Sequence, residues 1–219
     1  MIWDWSFTFG ILPLLAKAAV VTIEATLIGF VIAAVLGLVL AVTRIAIPAT
    51  AWPISAAVEL TRSTPLLIQI FFIYFVFPSF GIVLDAFTAG VLALGLHYGA
   101  YCSEVYRAGF DNIPRGQWEA SIALNLGTWT TFRDIIIPQA IPPVVPALGN
   151  YLVALFKETP LLSAIAVLEL MQTAKIIGSD TFRYTEPITL VGIFFLVMSL
   201  VSAALIRAAE AALKRRTIR

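Results

Sequence analysis

Charged residues are scarce in this chain. Of its 219 residues only 12% are Asp, Glu, Lys or Arg, whereas 60% are hydrophobic. An ordinary soluble domain carries about 25% charged residues. A water-soluble domain of this length cannot bury so much apolar surface, so the composition indicates that lipid solvates part of it. The net charge of +1 gives no basis for a nucleic-acid partner.

Other absences narrow the class further. Cys102 is the single cysteine, which excludes an intramolecular disulfide. No Lys or Arg precedes the first apolar run, so we expect no cleavable signal peptide; Trp3 and Trp5 there are typical of a membrane interface. No Gly-x4-Gly-Lys-Ser/Thr phosphate loop is present, so the chain is not itself an ATPase. We also expect neither a metal nor another cofactor to be bound.

The apolar runs predict an all-α integral membrane protein with five transmembrane helices. The runs cover residues 18–42, 65–83, 87–106, 140–156 and 188–206. Each is close to the ~20 residues that cross ~30 Å of hydrocarbon. Residues 161–171 are apolar but short, which favours a re-entrant or surface segment over a sixth span. We therefore expect one transmembrane domain over residues 1–219.

The placement of Lys and Arg predicts the orientation of the spans. Basic residues gather in the first and third loops and after the last span: Arg44, Arg62, Arg107, Arg115, Arg133, Arg207, Lys214, Arg215, Arg216 and Arg219. Because basic loops stay in the cytoplasm, the N-terminus is expected outside and the C-terminus inside. The loop of residues 111–138 is then cytoplasmic.

That loop is the most polar interruption between the apolar spans. Pro114 can begin a helix without losing an N–H bond, and the carboxylate of Glu119 can pair with an arginine of a partner. Small side chains at Ala120, Ser121 and Ala123 leave room for close approach by another protein.

The loop's second half is expected to turn and form another helix. Asn125 is a residue at which the first helix can turn, since Asn tolerates the left-handed conformation. A helix over residues 128–137 would follow, with Trp129 and Phe132 as apolar anchors and Arg133 exposed, and Pro138 would end it and start the next span. The alternative is an ordinary amphipathic helix at the membrane interface.

The pattern of this loop resembles the EAA loop of bacterial ABC importer permeases. The matching residues are Glu119-Ala120-Ser121 and Ile137-Pro138, with Asn125 where glycine is usual and Gly127 two places later. Further stretches resemble the polar-amino-acid branch of these permeases, in chain order: 59–67 (ELTRSTPLL), 104–109 (EVYRAG), 146–150 (PALGN) and 156–161 (FKETPL). Within that branch the chain is most similar to ectoine/hydroxyectoine permeases, at 1–5 (MIWDW), 96–98 (LHY), 123–126 (ALNL) and 172–178 (QTAKIIG).

The resemblance implies the fold and the role of a type I (MetI-like) ABC importer permease in the bacterial inner membrane. Two permease subunits, identical or different, would form the pathway, and an extracytoplasmic binding protein would deliver the solute. Two ATPase subunits would dock on the loop and use ATP and Mg²⁺. This chain would carry no catalytic chemistry. A general polar-amino-acid permease is the runner-up, and a stand-alone secondary transporter or channel is the alternative class, although no internal repeat supports it.

Polar residues inside the apolar spans are candidates for the solute path, because burying a charge in a membrane is unfavourable. Glu158 could face the cationic end of a zwitterion and Asn150 its carboxylate, with Gln69 across the cavity. Lys157 is about 100° away from Glu158 on a helix and would pair elsewhere. Mutual charge pairing of Lys157 and Glu158 is the structural alternative, and Arg62 is expected to pair with Glu59.

The third span offers two other interpretations. His97 with Cys102 or Ser103 would suggest an intramembrane hydrolase, but residues 97 and 103 lie on nearly opposite helix faces. His97 is expected instead to form an interhelical hydrogen bond. The Gly95/Gly99 pair, and the stripe of residues 33, 37 and 41 in the first span, would let two helices approach closely.

Overall fold

The computed structural model describes residues 3–217, without the side chains of residues 209 and 212–217. In this range the chain is helical, with 3₁₀ and π turns between α-helices. The α-helices are α1 (Trp5–Ala46), α2 (Ala51–Ser63), α3 (Leu66–Phe71), α4 (Ala86–Asp111), α5 (Arg115–Ala123), α6 (Thr128–Thr130), α7 (Ile137–Glu158), α8 (Leu170–Thr181) and α9 (Thr185–Thr217). Residues 1 and 2, and the basic side chains from Lys214 onward that were used for the orientation, lie outside the described part.

Each of the five predicted spans falls on one of these helical segments. Three continuous segments are long and apolar enough to cross a membrane: Trp5–Ala46, Thr128–Ile165 and Thr185–Ala208. A fourth, Pro48–Ser63 with Leu66–Phe80, is bent by 105°. The remaining one, α4, is 26 residues long and more than half buried. Its Gly, His and Tyr residues lower its mean hydropathy. Such residues are tolerated there because α4 packs against protein along much of its length.

Helix α1 starts well before the predicted first span. It begins at Trp5 rather than at residue 18, and Asp4 caps it by accepting the N–H of Phe7 at 3.0 Å. The helix runs through Pro13 and reaches 42 residues, about 63 Å at 1.5 Å per residue. Proline is tolerated in membrane helices because neighbouring groups satisfy the carbonyl that it frees.

Small residues let α1 and α4 lie in close contact, as the two stripes predicted. A Cβ atom added at Gly37 would lie 2.6 Å from Cys102 Cβ and 2.9 Å from the carbonyl oxygen of Gly99. A Cβ atom at Gly95 would lie 2.5 Å from Ile32 Cγ2. The predicted role of these glycines in helix packing is confirmed.

Pro138 lies at the start of the next span, as predicted, but the prediction that it ends a separate helix is wrong. A π-helical stretch, Thr131–Ile136, leads directly into α7, and Pro138 lies in the first turn of α7. A proline ring in a regular α-helix clashes with the carbonyl four residues earlier. The wider π turn just before Pro138 accommodates the ring, so the helical path continues.

Residues 161–171 reverse the direction of the chain and form no separate long helix. A 3₁₀ helix, Thr159–Ile165, ends at Ala166, whose φ of 59° is left-handed. The fully buried Glu169 then caps α8, accepting the N–H groups of Met171 at 2.8 Å and Gln172 at 2.7 Å. Burial raises the pKa of Glu169 to about 6, against the opposing effect of these two hydrogen bonds.

Ion pairs join the helices at both ends of the bundle. At one end Arg183 pairs with Asp4 at 3.0 Å and with Glu186, so the beginnings of α1 and α9 are tied together. At the other end Glu104 accepts from Arg44 at 2.7 Å and from Arg107 at 2.9 Å, which ties α1 to α4.

Candidate functional site

The loop of residues 111–138 is held against the helical bundle by aromatic side chains. Phe132 is 3% exposed and meets Phe110 and Trp118 edge to face, with ring centroids 6.1 Å and 5.5 Å apart. Gln139 Nε2 adds a hydrogen bond to Gln117 Oε1 at 3.2 Å. Helix α5 is therefore fixed relative to α4 and α7, so a force applied to α5 reaches both.

Asn125 ends α5 in the left-handed conformation, as its side chain predicts. Its φ is 53°. Its N–H donates to the Ile122 carbonyl at 2.9 Å, and the N–H of Leu126 donates to the Ser121 carbonyl at 3.0 Å. These two bonds form a Schellman motif, in which glycine is the usual residue at this position. Gly127 has an ordinary φ of −66°, so the turn does not depend on it.

Substitutions at Asn125 and Gly127 test which of the two positions requires a left-handed backbone. We expect Asn125→Gly to retain the loop and transport, because glycine adopts positive φ without strain. Asn125→Val should destabilise the turn by about 1–2 kcal/mol or more and lower both transport and the thermal stability of the purified subunit. Gly127→Val is the matched control and should be close to wild type, since nothing lies within 4 Å of a Cβ added there. Equal behaviour of the two valine variants would contradict the assigned turn.

The outer face of the loop differs in part from the prediction. Glu119, Ala120, Arg133 and Pro138 are exposed, as a docking surface requires. Ser121 is only 2% exposed. Its hydroxyl donates to the Trp118 carbonyl at 2.8 Å, so it faces its own subunit and not a partner.

Trp129 does not anchor the loop, contrary to the prediction. It is 72% exposed, as are Ile122 at 77% and Leu124 at 70%. Phe132 alone makes the predicted apolar contact: it is buried within the π-helical stretch, whereas Trp129 lies before that stretch and is exposed. The outer face therefore combines one carboxylate with three large apolar side chains.

A second candidate site is a cavity of about 350 Å³ beside the bend between α2 and α3. Arg62 from α2, His97 and Tyr101 from α4 and Glu158 from the end of α7 line it. The Arg62 guanidinium lies over the Tyr101 ring, 5.2 Å from its centroid. Arg62 also meets Glu59, as predicted, but only at 3.6 Å and with Glu59 71% exposed.

The structure brings together only part of the predicted solute path. Asn150 and Lys157 line a different cavity, of about 360 Å³, with Arg207 and Glu210. Positions 150 and 157 are seven apart and share a helix face, whereas Glu158 is about 80° from Asn150. Lys157 thus points away from Glu158, as expected, and Asn150 lies on the same helix face as Lys157.

Gln69 does not face the Arg62–Glu158 cavity. Its Nε2 donates to the Thr61 carbonyl at 2.7 Å and to Thr64 Oγ1 at 2.7 Å, and its Oε1 lies 3.2 Å from His97 Nδ1. His97 therefore forms the predicted interhelical hydrogen bond. Because His97 lines the cavity and Gln69 does not, Gln69 can affect the cavity only through His97. Arg62 is not identified as a site residue by the sequence alone, because the sequence predicts its ion pair with Glu59.

The side chains of α4 do not form a hydrolytic site. Ser103 Oγ donates to the Ala100 carbonyl at 2.7 Å, and Cys102 is fully buried. In the described part of the chain no hydrogen bond joins His97 to Cys102 or Ser103, so neither candidate nucleophile is paired with a base. Among the described residues, no three His, Cys, Asp or Glu side chains are placed to hold a metal ion.

Comparison with known proteins decides the family. Residues 33–215 match the family of binding-protein-dependent transport system inner membrane components. The chain belongs to this family. It is 44% identical over 216 residues to the probable amino-acid ABC transporter permease protein y4tG of Sinorhizobium fredii, covering 98% of this chain and 94% of the relative.

Solved structures support the same conclusion. The permease superposes on a chain of a structure described as an amino acid ABC transporter with histidines, with a TM-score of 0.86 and 34% identity. The match covers 97% of this chain and 100% of that one. An inward-facing MetNI methionine transporter chain matches with a TM-score of 0.67 at 22% identity, covering 94% and 99% of the two chains, which shows the MetI-like fold.

The permease is thus the inner-membrane subunit of a binding-protein-dependent ABC importer. It is a non-catalytic component, and ATP hydrolysis belongs to a separate subunit. Family membership replaces the alternative of a stand-alone transporter or channel.

Proposed function

We propose that the permease passes a small zwitterionic solute through the Arg62–Glu158 cavity. The observation that carries this proposal is that a cation and a carboxylate from different helices line one cavity of about 350 Å³. Among the described side chains no Lys or Arg nitrogen lies within 4.0 Å of the Glu158 carboxylate. Glu158 can therefore meet the cation of a solute, and Arg62, whose contact with the exposed Glu59 is long at 3.6 Å, can meet its carboxylate.

Ectoine or hydroxyectoine is the solute that the sequence resemblance favours, and a polar amino acid is the second candidate. Both carry a carboxylate and a nitrogen-centred cation. The Arg62 guanidinium can bind a carboxylate through two parallel hydrogen bonds, and Glu158 can accept from the cationic end. The half-buried position of Glu158 strengthens such contacts, because the local dielectric constant is lower than that of water.

The partners follow from the same role. Two ATPase subunits would dock on the coupling loop, residues 111–138, whose candidate contacts are Glu119, Ala120, Asn125, Gly127, Arg133 and Pro138. A second permease subunit would complete the pathway, and an extracytoplasmic binding protein would supply the solute. In this proposal residues 1–219 form one transmembrane domain with the N-terminus outside and the coupling loop inside. Movement of the docked loops would open the cavity to either side in turn.

Neutralising the two cavity charges tests the proposal. Glu158→Gln and Arg62→Gln should each reduce uptake of ectoine or L-glutamine about tenfold or more, since each removes a charge-assisted hydrogen bond worth about 1.5–3 kcal/mol. Uptake by cells that express the complete importer measures the effect. Basal ATP hydrolysis and assembly should persist.

Lys157→Gln is the matched control. It removes a charge at the next position along the chain, but from the cavity shared with Asn150. Wild-type uptake is expected. Loss of uptake in Lys157→Gln together with normal uptake in Glu158→Gln would place the path at the Asn150–Lys157 cavity and refute the proposal.

A further inference from the structure

Gln69 holds the bend between α2 and α3 with its amide group. Helix α2 stops at Ser63, and the chain passes through an extended Thr64 before α3 starts. The carbonyl groups in the last turn of a helix lack N–H partners. Gln69 Nε2 supplies hydrogen bonds to the carbonyls of Thr61 at 2.7 Å and Thr64 at 3.2 Å.

These bonds fix which way round the amide lies. Backbone carbonyl oxygens only accept hydrogen bonds, so the NH₂ group of Gln69 must face Thr61 and Thr64. Its Oε1, which also only accepts, then faces His97 Nδ1 at 3.2 Å. Nδ1 must therefore carry a hydrogen, and in the neutral ring Nε2 carries none.

His97 Nε2 is open to the cavity that contains Arg62 and Glu158. His97 lines this cavity, and its Nε2 forms no hydrogen bond within the described part of the chain. The polar side-chain atoms there that are both sealed from solvent and unpaired are Trp3 Nε1 and Gln172 Oε1, so Nε2 is accessible. The lining of the cavity thus includes two acceptors, a carboxylate and a bare imidazole nitrogen, and one guanidinium.

We propose that His97 Nε2 accepts a hydrogen bond from the cationic end of the solute, so that the cavity selects cations with at least two N–H groups. This inference rests on the proposed function of the Arg62–Glu158 cavity. One N–H of the solute would bind Glu158 and another would bind His97. Gln69 is a positioning residue, because it fixes the tautomer that leaves Nε2 free to accept. Primary ammonium and amidinium groups satisfy both acceptors, whereas a fully methylated ammonium group satisfies neither.

A methylation series measures the number of acceptors directly. Glycine, sarcosine, N,N-dimethylglycine and glycine betaine carry three, two, one and no N–H groups. Each would compete with radiolabelled ectoine or L-glutamine for the purified permease–ATPase complex, without the binding protein. In the wild type the apparent affinity should fall about tenfold between sarcosine and dimethylglycine, where the second hydrogen bond is lost.

Two substitutions of His97 assign that step to Nε2. His97→Asn retains a donor near the Nδ1 position for Gln69 but has no acceptor at the Nε2 position, so the step should disappear. His97→Gln places an amide at the Nε2 position and should keep it. Gln69→Leu can neither donate to the two carbonyls nor accept from His97 Nδ1, so it should weaken the step because the tautomer is no longer fixed.

The outcomes separate this inference from the function on which it rests. If the labelled solute binds the wild type but dimethylglycine competes as well as sarcosine, the role of His97 is refuted and the cavity proposal stands. An undiminished step in His97→Asn has the same consequence. Failure of both labelled solutes to bind the wild-type complex would refute the cavity as a solute site and the role of His97 with it.

Discussion

Replacement of Glu119 by lysine is expected to abolish solute-stimulated ATP hydrolysis while leaving the permease folded in the membrane. Glu119 is exposed on α5, beside the apolar side chain of Ile122. No described side chain pairs with it, so the subunit itself loses nothing when the charge is reversed. A docked ATPase would instead meet a like charge in a desolvated contact, which weakens association by about 2–5 kcal/mol.

ATPase co-purification and ATP hydrolysis with and without solute measure this effect. Asp134→Lys is the matched control, because it makes the same change of charge on the same loop, where Asp134 has only a long contact of 3.7 Å to Arg133. Glu119→Gln should have a smaller effect than Glu119→Lys, since it removes the charge without adding a repulsion. A Glu119→Lys importer with normal coupling would refute the assignment of the loop.

Replacement of Gly37 by valine is expected to give the largest loss of stability. Its Cβ would lie 2.6 Å from Cys102 Cβ and 2.9 Å from two backbone atoms of α4. Backbone atoms inside a helix cannot move aside, so α1 and α4 must separate along their length. Overpacking typically costs about 1–3 kcal/mol. At Gly37 there is no room even for a Cβ atom, and valine adds two methyl groups to it.

The melting temperature in detergent and the amount of subunit in the membrane report the change. Gly10→Val is the control on the same helix, since nothing lies within 4 Å of a Cβ added at Gly10. We expect Gly10→Val to melt close to wild type and Gly37→Val to be strongly depleted. Similar melting temperatures for the two would show that α1 and α4 do not pack as described.

The positions of the helices could be predicted well because hydrophobic length is a local property. The predicted first span began only at residue 18, directly after the charged Lys17. In the fold, α1 starts at Trp5 and continues through Pro13 and Lys17. Whether a helix continues past a proline depends on which neighbours satisfy the freed carbonyl, and these are tertiary contacts.

The coupling loop shows the same division between local and tertiary information. The left-handed turn at Asn125 could be predicted because the preference belongs to the residue itself. The inward direction of Ser121 and the exposure of Trp129 could not, because they depend on how the loop packs against the bundle, through tertiary contacts such as those of Phe132 with Phe110 and Trp118. Nothing in the sequence pattern marks those contacts.

The Arg62–Glu158 cavity could not be predicted from the sequence, because it is formed by residues that are distant in the chain. Glu158 was identified because a charge inside an apolar run is visible in the sequence. Arg62, which lines the same cavity, comes from another helix, and the bend of 105° is what brings that helix end to the cavity. Spacing along α7 suggested Asn150 instead, although it faces the other way.

The π-helical stretch Thr131–Ile136 has a consequence for how this chain can vary in length. A π turn holds one residue more than the α turn that it replaces. Removing a single residue there restores a regular helix while α5 and α7 keep the faces that they present, but the Pro138 ring would then meet the carbonyl four residues earlier, so Pro138 must be replaced as well. The same deletion inside α7 would rotate every later residue by about 100° and turn Glu158 out of the cavity. The junction between the loop and the membrane is therefore a place where the chain can shorten by one residue, together with the loss of Pro138, without changing what either side contacts.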